Sequence, residues 1–160
     1  MQPQLKFLSE KNLIGTRMTM NFAHNKTAEL WKTFMPRRHE ITNNVDTLLY
    51  SMQIYSPSFF DAFNPNKEFE KWATMEVTNF TTIPQGMETF ILPSGLYAVF
   101  LYQGNETQAE ETFRFILGIW LPNSEYVLDS RPHFEVLGEK YNQGNPDSEE
   151  EIWIPIKLKS

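Results

Sequence analysis

Gly15-Thr-Arg-Met-Thr-Met-Asn-Phe22 and Gly95-Leu-Tyr-Ala-Val-Phe-Leu-Tyr102 are the two stretches on which the fold prediction rests, and they lie at an offset of 80 residues. Each stretch begins with glycine, has the composition of a strand and leads into a helix start. The helix starts also correspond, because Asn25 and Asn105 each stand two residues before a threonine. An Asn side chain can accept hydrogen bonds from the free amides of a first helical turn. The repeat therefore predicts a domain of two similar halves.

Apolar residues recur at helical spacing after each of these stretches. In the first half the pattern predicts a helix that Pro36 stops, with an inner face made of Ala28, Trp31, Phe34 and Met35. In the second half it predicts a helix that ends at Pro122, with an inner face made of Ala109, Thr112, Phe113, Ile116, Ile119 and Trp120.

Strand-like segments follow each helix and are separated by turn-rich sequence. They cover about 47–55 and 72–80 in the first half and 133–137 and 151–158 in the second, where residues 142–147 form the turn. A further strand at 87–92 is expected to pair, through Pro93-Ser94-Gly95, with the strand that follows it. The order strand, helix, strand, strand, written twice, predicts an α+β fold with an antiparallel sheet and the helices on one face.

The composition excludes several classes of function. The 160 residues fit one domain, and the absence of cysteine excludes disulfides and thiolate sites. A net charge of −6 argues against nucleic-acid binding, and no apolar run is long enough for a membrane span or a signal peptide, so a cytoplasmic protein is expected. The histidines are too widely spaced for a metal site, and no glycine-rich phosphate loop suggests a cofactor.

Near the C-terminus the sequence resembles a known family. The string from Arg131 to Leu137, then Asn145-Pro146-Asp147-Ser148-Glu149, then the string from Glu151 to Lys157 is similar to the ending of the gyrase-inhibitor-like family. This family includes the effector-binding domains of AraC- and MerR-type bacterial regulators. The segments Trp72–Val77 and Gly95–Val99 resemble it as well, so the resemblance covers nearly the whole chain.

The resemblance implies two pseudo-twofold-related β-α-β-β modules with the helices on one face and a concave ligand cleft on the other. It implies that residues 1–160 form a single effector-binding domain of a stand-alone member, and that the ligands are lipophilic and cationic. In many members a glutamate of the last strand lies in the cleft, and its match here is Glu151.

Strand alternation adds further candidate ligand-binding residues, but for Tyr97 and Tyr50 it does not say which face of the strand meets the cleft. On the last strand Glu151 and Trp153 point away from three isoleucines, and a carboxylate beside an indole suits a cation. The complete predicted set is Glu151, Trp153, Trp72, Glu76, Tyr97, Tyr50 and Phe134. The alternative is that residues 149–151 are a solvated acidic strand entrance and that the aromatic residues are core.

Three functions remain open from the sequence. The leading one is a non-enzymatic domain that binds small lipophilic, cationic compounds, without a cofactor, a metal, nucleic acid or a membrane as partner. The second is a small-molecule hydrolase with Glu151 as base or nucleophile and a cleft tyrosine such as Tyr97 as hydrogen-bond donor. The third is a protein antagonist such as a gyrase inhibitor, which leaves a protein partner or a homodimer possible.

Overall fold

The computed structural model describes residues 2–103, 106–138 and 149–160. Its strands and helices, in chain order, are β1 (Gln4–Leu8), β2 (Lys11–Met20), α1 (Thr27–Phe34), β3 (Leu49–Ile54), β4 (Phe69–Val77), β5 (Glu88–Leu92), β6 (Gly95–Gln103), α2 (Glu106–Phe115), α3 (Leu121–Asn123), β7 (Tyr126–Leu128), β8 (His133–Leu137) and β9 (Glu149–Leu158). None of the helices in these ranges is long and apolar enough to cross a membrane.

One antiparallel sheet carries the two halves side by side. Its order is β1-β6-β9-β8-β3-β4-β2-β5, and β7 pairs with β9. The central part of this order, β6-β9-β8 followed by β3-β4-β2, is symmetric about the β8–β3 junction. The first half contributes β2, α1, β3 and β4, and the second contributes β6, α2, β8 and β9. The predicted pair of β-α-β-β modules is confirmed.

The two edges of the sheet come together, which the sequence did not predict. β1 is the first strand of this order and β2 is the last but one, yet only Ser9 and Glu10 join them. β5 and β6 are joined by an equally short link. Leu8 pairs with Gly95 on one edge and Lys11 pairs with Leu92 on the other. Because three Cα steps span at most about 11 Å, the sheet must curve until its edges are neighbours.

The predicted hairpin between the strand at 87–92 and the strand that follows it is wrong. β5 pairs with β2 and β6 pairs with β1, so Pro93 and Ser94 cross from one edge of the sheet to the other instead of forming a hairpin. The same closure produces a concave face on the side of the sheet away from the helices.

Both helices cover the convex face. Leu30, Trp31 and Phe34 of α1 pack over Ile14 and Met75, while Ile116 packs over the β9 isoleucines Ile152, Ile154 and Ile156. Two details of the predicted helices were wrong. Ala28 faces solvent and Leu30 takes its place in the core. Ile119 is 56% exposed because residues Ile116–Trp120 form a π-helical turn, which shifts the inner face away from the regular period.

The strand and helix boundaries differ from the predictions by a few residues. β2 begins at Lys11, so Gly15 lies inside the strand instead of opening it, and β4 begins at Phe69. Asn25 does act at the start of α1, since its Oδ1 accepts from the Thr27 amide at 2.9 Å. Pro36 lies in a 3₁₀ turn after α1, and Pro122 lies within α3. The predicted helix start at Asn105 and the turn at 142–147 fall outside the described residues.

Glu150 makes the stability of the domain depend on pH. It lies on the convex side of β9, where the Tyr102 hydroxyl donates to its Oε2, and burial raises its pKa to about 7. A carboxyl group with a raised folded-state pKa stabilises the fold while protonated, and this contribution is lost as pH rises from about 4.5 to about 7. We therefore expect Glu150→Gln to be more stable than the wild type at pH 8, by at most about 3 kcal/mol and by less where solvent screens the charge.

Urea unfolding of both proteins at pH 5 and pH 8 measures this difference. The exposed Glu125→Gln variant serves as the control, and its stability difference from the wild type should not change between the two pH values. An equal difference at both pH values for Glu150→Gln would contradict the prediction.

Candidate functional site

The strand register places every predicted site residue on the concave face. Directly opposed residues of paired strands point to the same side of a sheet. One row across the sheet therefore consists of Val99, Trp153, Phe134, Met52, Trp72 and Arg17. The neighbouring row consists of Leu101, Glu151, Val136, Tyr50, Thr74 and Gly15. Tyr97 on β6 and Glu76 on β4 extend the same face at its two ends.

Aromatic rings form the floor of this face in the second half. The rings of Phe134 and Trp153 are stacked, with centroids 5.1 Å apart and planes at 20°. Tyr97 meets both rings edge-on, at 5.2 Å and 5.7 Å. Tyr50 lies 5.9 Å from Phe134, and this contact carries the cluster across the β8–β3 junction into the first half.

The protein's own side chains fill much of the hollow. Leu8, Leu13 and Leu92, which lie at or near the turns that join the two edges, pack against the ring cluster. Tyr50, Trp72, Tyr97 and Phe134 are consequently buried. Among the predicted site residues, Glu76, Glu151 and Trp153 are only partly buried and remain accessible to solvent. The indole Nε1 of Trp72 is buried without a hydrogen-bond partner.

The two predicted glutamates lie on either side of Tyr50. Glu151 accepts a hydrogen bond from Trp153 Nε1 at 3.2 Å, and in the described part of the chain it has no ion-pair partner. Glu76 pairs with Lys11 at 3.1 Å. Burial raises the pKa of Tyr50, and the negative charges of Asp46, Glu76 and Glu151 raise it further. Both glutamates are therefore within electrostatic reach of one phenol at the centre of the face.

The hydroxyl of Tyr97, the donor of the hydrolase hypothesis, already has a hydrogen-bond partner. Its hydroxyl donates to the Pro132 carbonyl at 2.8 Å, and the Arg131 guanidinium lies 4.7 Å from the centre of its ring. Burial raises the pKa of Tyr97 to about 12. The side chain has no exposed surface, so in the ligand-free protein Tyr97 packs within the ring cluster.

Three basic side chains lie on the concave face that were not among the predicted site residues. Lys6 lies 5.8 Å from the Trp153 ring, Lys11 lies 5.9 Å from the Tyr50 ring and Arg17 lies 5.7 Å from the Trp72 ring. Lys6 belongs to β1, which was not predicted as a strand. Arg17 could have been found, because alternation from Gly15 along β2 puts it on the same face.

Two open grooves lie away from this face, between the loop at 55–61 and the segment at 117–131. Their volumes are about 390 Å³ and 330 Å³, and both are lined by Phe60 and Leu128. No group of three metal-binding side chains occurs among the described residues.

Comparison with known proteins agrees with this architecture. The family model of the GyrI-like small molecule binding domain matches residues 1–157. The transcriptional regulator BrlR of Pseudomonas aeruginosa is 31% identical over 130 residues, which are 80% of this chain and 45% of BrlR. The chain thus spans a little under half the length of this curated relative.

Solved structures share the fold at low identity. The structure of SAV2435 bound to tetraphenylphosphonium superposes with a TM-score of 0.72 at 20% identity, over 98% of this chain and 94% of that one. The EcmrR chain in a complex with DNA gives a TM-score of 0.71 at 15% identity, over 99% of this chain and 58% of that one. With the family model matched across nearly all of its length, the chain belongs to the GyrI-like small molecule binding domain family.

Proposed function

We propose that the concave face binds lipophilic cationic compounds, with Glu151 as the counter-ion of the ligand. The observation that carries the proposal is the position of Glu151. It is a partly buried carboxylate without a basic partner in the described residues, and it is held by the indole of Trp153 at the accessible end of a stacked aromatic floor.

The chemistry of these groups fits such a ligand. A cation over an aromatic face gains about 0.5–2 kcal/mol, and more where water is excluded. A nearby carboxylate adds charge pairing, and the surrounding rings accept apolar groups. SAV2435, which has the same fold, binds tetraphenylphosphonium, a cation of this class, and this supports the proposal.

The burial pattern suggests how a ligand enters. The first contacts are with Trp153, Glu151 and Glu76, which are accessible. The rings of Phe134 and Trp72 are reached only when the leucines of the edge turns move aside. We therefore expect weak binding of cations that lack the apolar groups needed to take the place of these leucine side chains.

Titration of the protein with tetraphenylphosphonium, followed by calorimetry and tryptophan fluorescence, tests the proposal. We expect saturable binding, and we expect Glu151→Gln to weaken it by about tenfold to hundredfold, because a desolvated charge pair is replaced by a neutral contact. The melting temperature should hardly change, since Glu151 is partly exposed and has no ion-pair partner to lose in the described residues.

The exposed Glu125→Gln variant changes the net charge equally and should bind as the wild type does. An unchanged dissociation constant in Glu151→Gln would remove this residue from the site. A lack of saturable binding by the wild type would remove the function.

A further inference from the structure

Two of the protein's own ammonium groups lie over aromatic rings of the concave face, Lys6 over the partly exposed Trp153 and Lys11 over the buried Tyr50. We propose that Lys6 and Lys11 act as internal competitors of the ligand, and that this competition makes the site select lipophilic cations over small primary ammonium ions. The inference rests on the proposed function and adds the residues that set its specificity.

Lys6 lies where the cation of a ligand would lie. Its Nζ is 5.8 Å from the centre of the Trp153 ring, and the same indole donates to Glu151. Lys6 is exposed, and in the described part of the chain its ammonium has neither an ion-pair partner nor a hydrogen bond. The aromatic ring is thus its principal contact, and it can leave without breaking another one.

Lys11 has a similar position beside Glu76, the second predicted glutamate of the face. Its Nζ is 5.9 Å from the Tyr50 ring and 3.1 Å from Glu76 Oε1. Glu76 is therefore already neutralised in the ligand-free protein, whereas Glu151 is not. The difference makes the Glu151 end the preferred position for a ligand cation and makes Lys11 the second group to be displaced.

Arg17 and Arg131, which lie over the rings of Trp72 and Tyr97, are fixed in place. Arg17 is held by Glu70 and by Glu88, the latter at 2.8 Å. Arg131 donates to the carbonyls of Leu96 and Ile156 at 2.8 Å and 3.1 Å. Each would lose at least two bonds on leaving its ring, whereas Lys11 would lose one ion pair and Lys6 none in the described residues, so the two lysines exchange most easily.

Internal competition follows from simple exchange. A tethered group competes as if it were present at millimolar or higher concentration. A small primary ammonium ion only replaces one hydrated ammonium by another and gains nothing to offset this competition. A lipophilic cation, whose charge is delocalised and weakly hydrated, gains in addition from burying its apolar groups.

The experiment compares Lys6→Met with the wild type by calorimetric titration. The probes are tetraphenylphosphonium, benzylammonium, and neutral triphenylphosphine oxide of similar shape. Methionine keeps an apolar stem of similar length and removes the charge. The control is Lys32→Met, because Lys32 is exposed on α1 on the opposite face of the sheet and its loss changes the net charge equally.

We expect Lys6→Met to bind tetraphenylphosphonium about two- to fivefold more tightly than the wild type, in line with one exposed cation–π contact. The gain for benzylammonium should be larger than the gain for tetraphenylphosphonium, so that the preference for the lipophilic cation becomes smaller. Equal gains for the two cations would show that Lys6 does not set the selectivity. Lys32→Met should match the wild type for each probe. The neutral oxide, which must also displace the ammonium from the ring, should gain from Lys6→Met by no more than tetraphenylphosphonium does. A double Lys6→Met, Lys11→Met variant should extend the gain.

Each remaining outcome contradicts a different statement. If the wild type binds tetraphenylphosphonium and Lys6→Met binds it equally or more weakly, the internal competition is wrong while the proposed function stands. If Lys32→Met tightens binding as much as Lys6→Met does, the effect is one of net charge and the inference is wrong. If neither the wild type nor any lysine variant binds a cation, both the proposed function and the inference are overturned.

Discussion

Gly15→Ala is expected to lose about 3 kcal/mol or more of unfolding free energy, a large part of the stability of a domain of this size. A Cβ at Gly15 would lie 1.9 Å from the Ala73 carbonyl oxygen and 2.8 Å from Thr74 Cα. These are backbone atoms of β4, which is paired with β3 on its other side, so they cannot move without disturbing the sheet. Adding volume to a packed interior costs about 1–3 kcal/mol even when only side chains have to adjust, and a backbone clash costs more.

Gly118→Ala is the matched control for this substitution. Nothing lies within 4 Å of a Cβ at Gly118, which is in the π-helical turn. Replacing a helical glycine by alanine where space allows stabilises by up to about 1 kcal/mol. Urea unfolding followed by circular dichroism compares the two variants, and a Gly15→Ala variant as stable as the wild type would show that β2 and β4 are not as close as described.

The paired glycines show both the value and the limit of the sequence prediction. The matching stretches at Gly15 and Gly95 correctly indicated two related halves. The two glycines themselves have different roles, because Gly15 lies against backbone inside β2, whereas a Cβ at Gly95 would meet the guanidinium of Arg131 at 2.3 Å. Short-range alternation predicts strands, but it contains no information about which atoms pack against them.

The closure of the sheet is a second feature beyond the reach of the sequence patterns. Turn residues at Pro93 and Ser94 predicted a hairpin, which is the usual outcome for strands so close in sequence. Here the neighbouring strands belong to opposite edges, and long-range pairing with β1 and β2 decides their places. Lys6 was missed for the same reason, since its position over Trp153 exists only because β1 joins the edge at β6.

For the candidate site, alternation predicted which residues share a face, but it could not predict their burial. Glu151 and Trp153 were placed together because they are two residues apart on one strand, and the structure brings Tyr50 and Phe134 to the same face through register alone. Phe134 is buried while Trp153 is partly open, and the apolar cluster that contains Phe134 includes leucines of the edge turns, which are distant in sequence.

Phe134→Ala is expected to lose about 3–5 kcal/mol of unfolding free energy, the usual cost of deleting a buried phenylalanine. The ring is 1% exposed and touches Tyr50, Tyr97 and Trp153, so its removal leaves a void beneath the middle of the concave face. Phe63→Ala is the matched control, because Phe63 is 82% exposed and its loss should change the stability by less than about 0.5 kcal/mol. Chemical unfolding of the three proteins measures both values.

Phe134→Ala also distinguishes residues of the aromatic floor from residues that a ligand contacts directly from solvent. Phe134 supports Trp153 by stacking. Its removal should therefore lower the stability and also weaken tetraphenylphosphonium binding, and the weaker binding should be seen at temperatures where the variant is still folded. Glu151→Gln, by contrast, should weaken binding alone, since its carboxylate is partly exposed and lies at the end of the floor. A Phe134→Ala protein of full stability would mean that the hollow is not filled as described, and the rings would then already be open to a ligand without any movement of Leu8, Leu13 or Leu92.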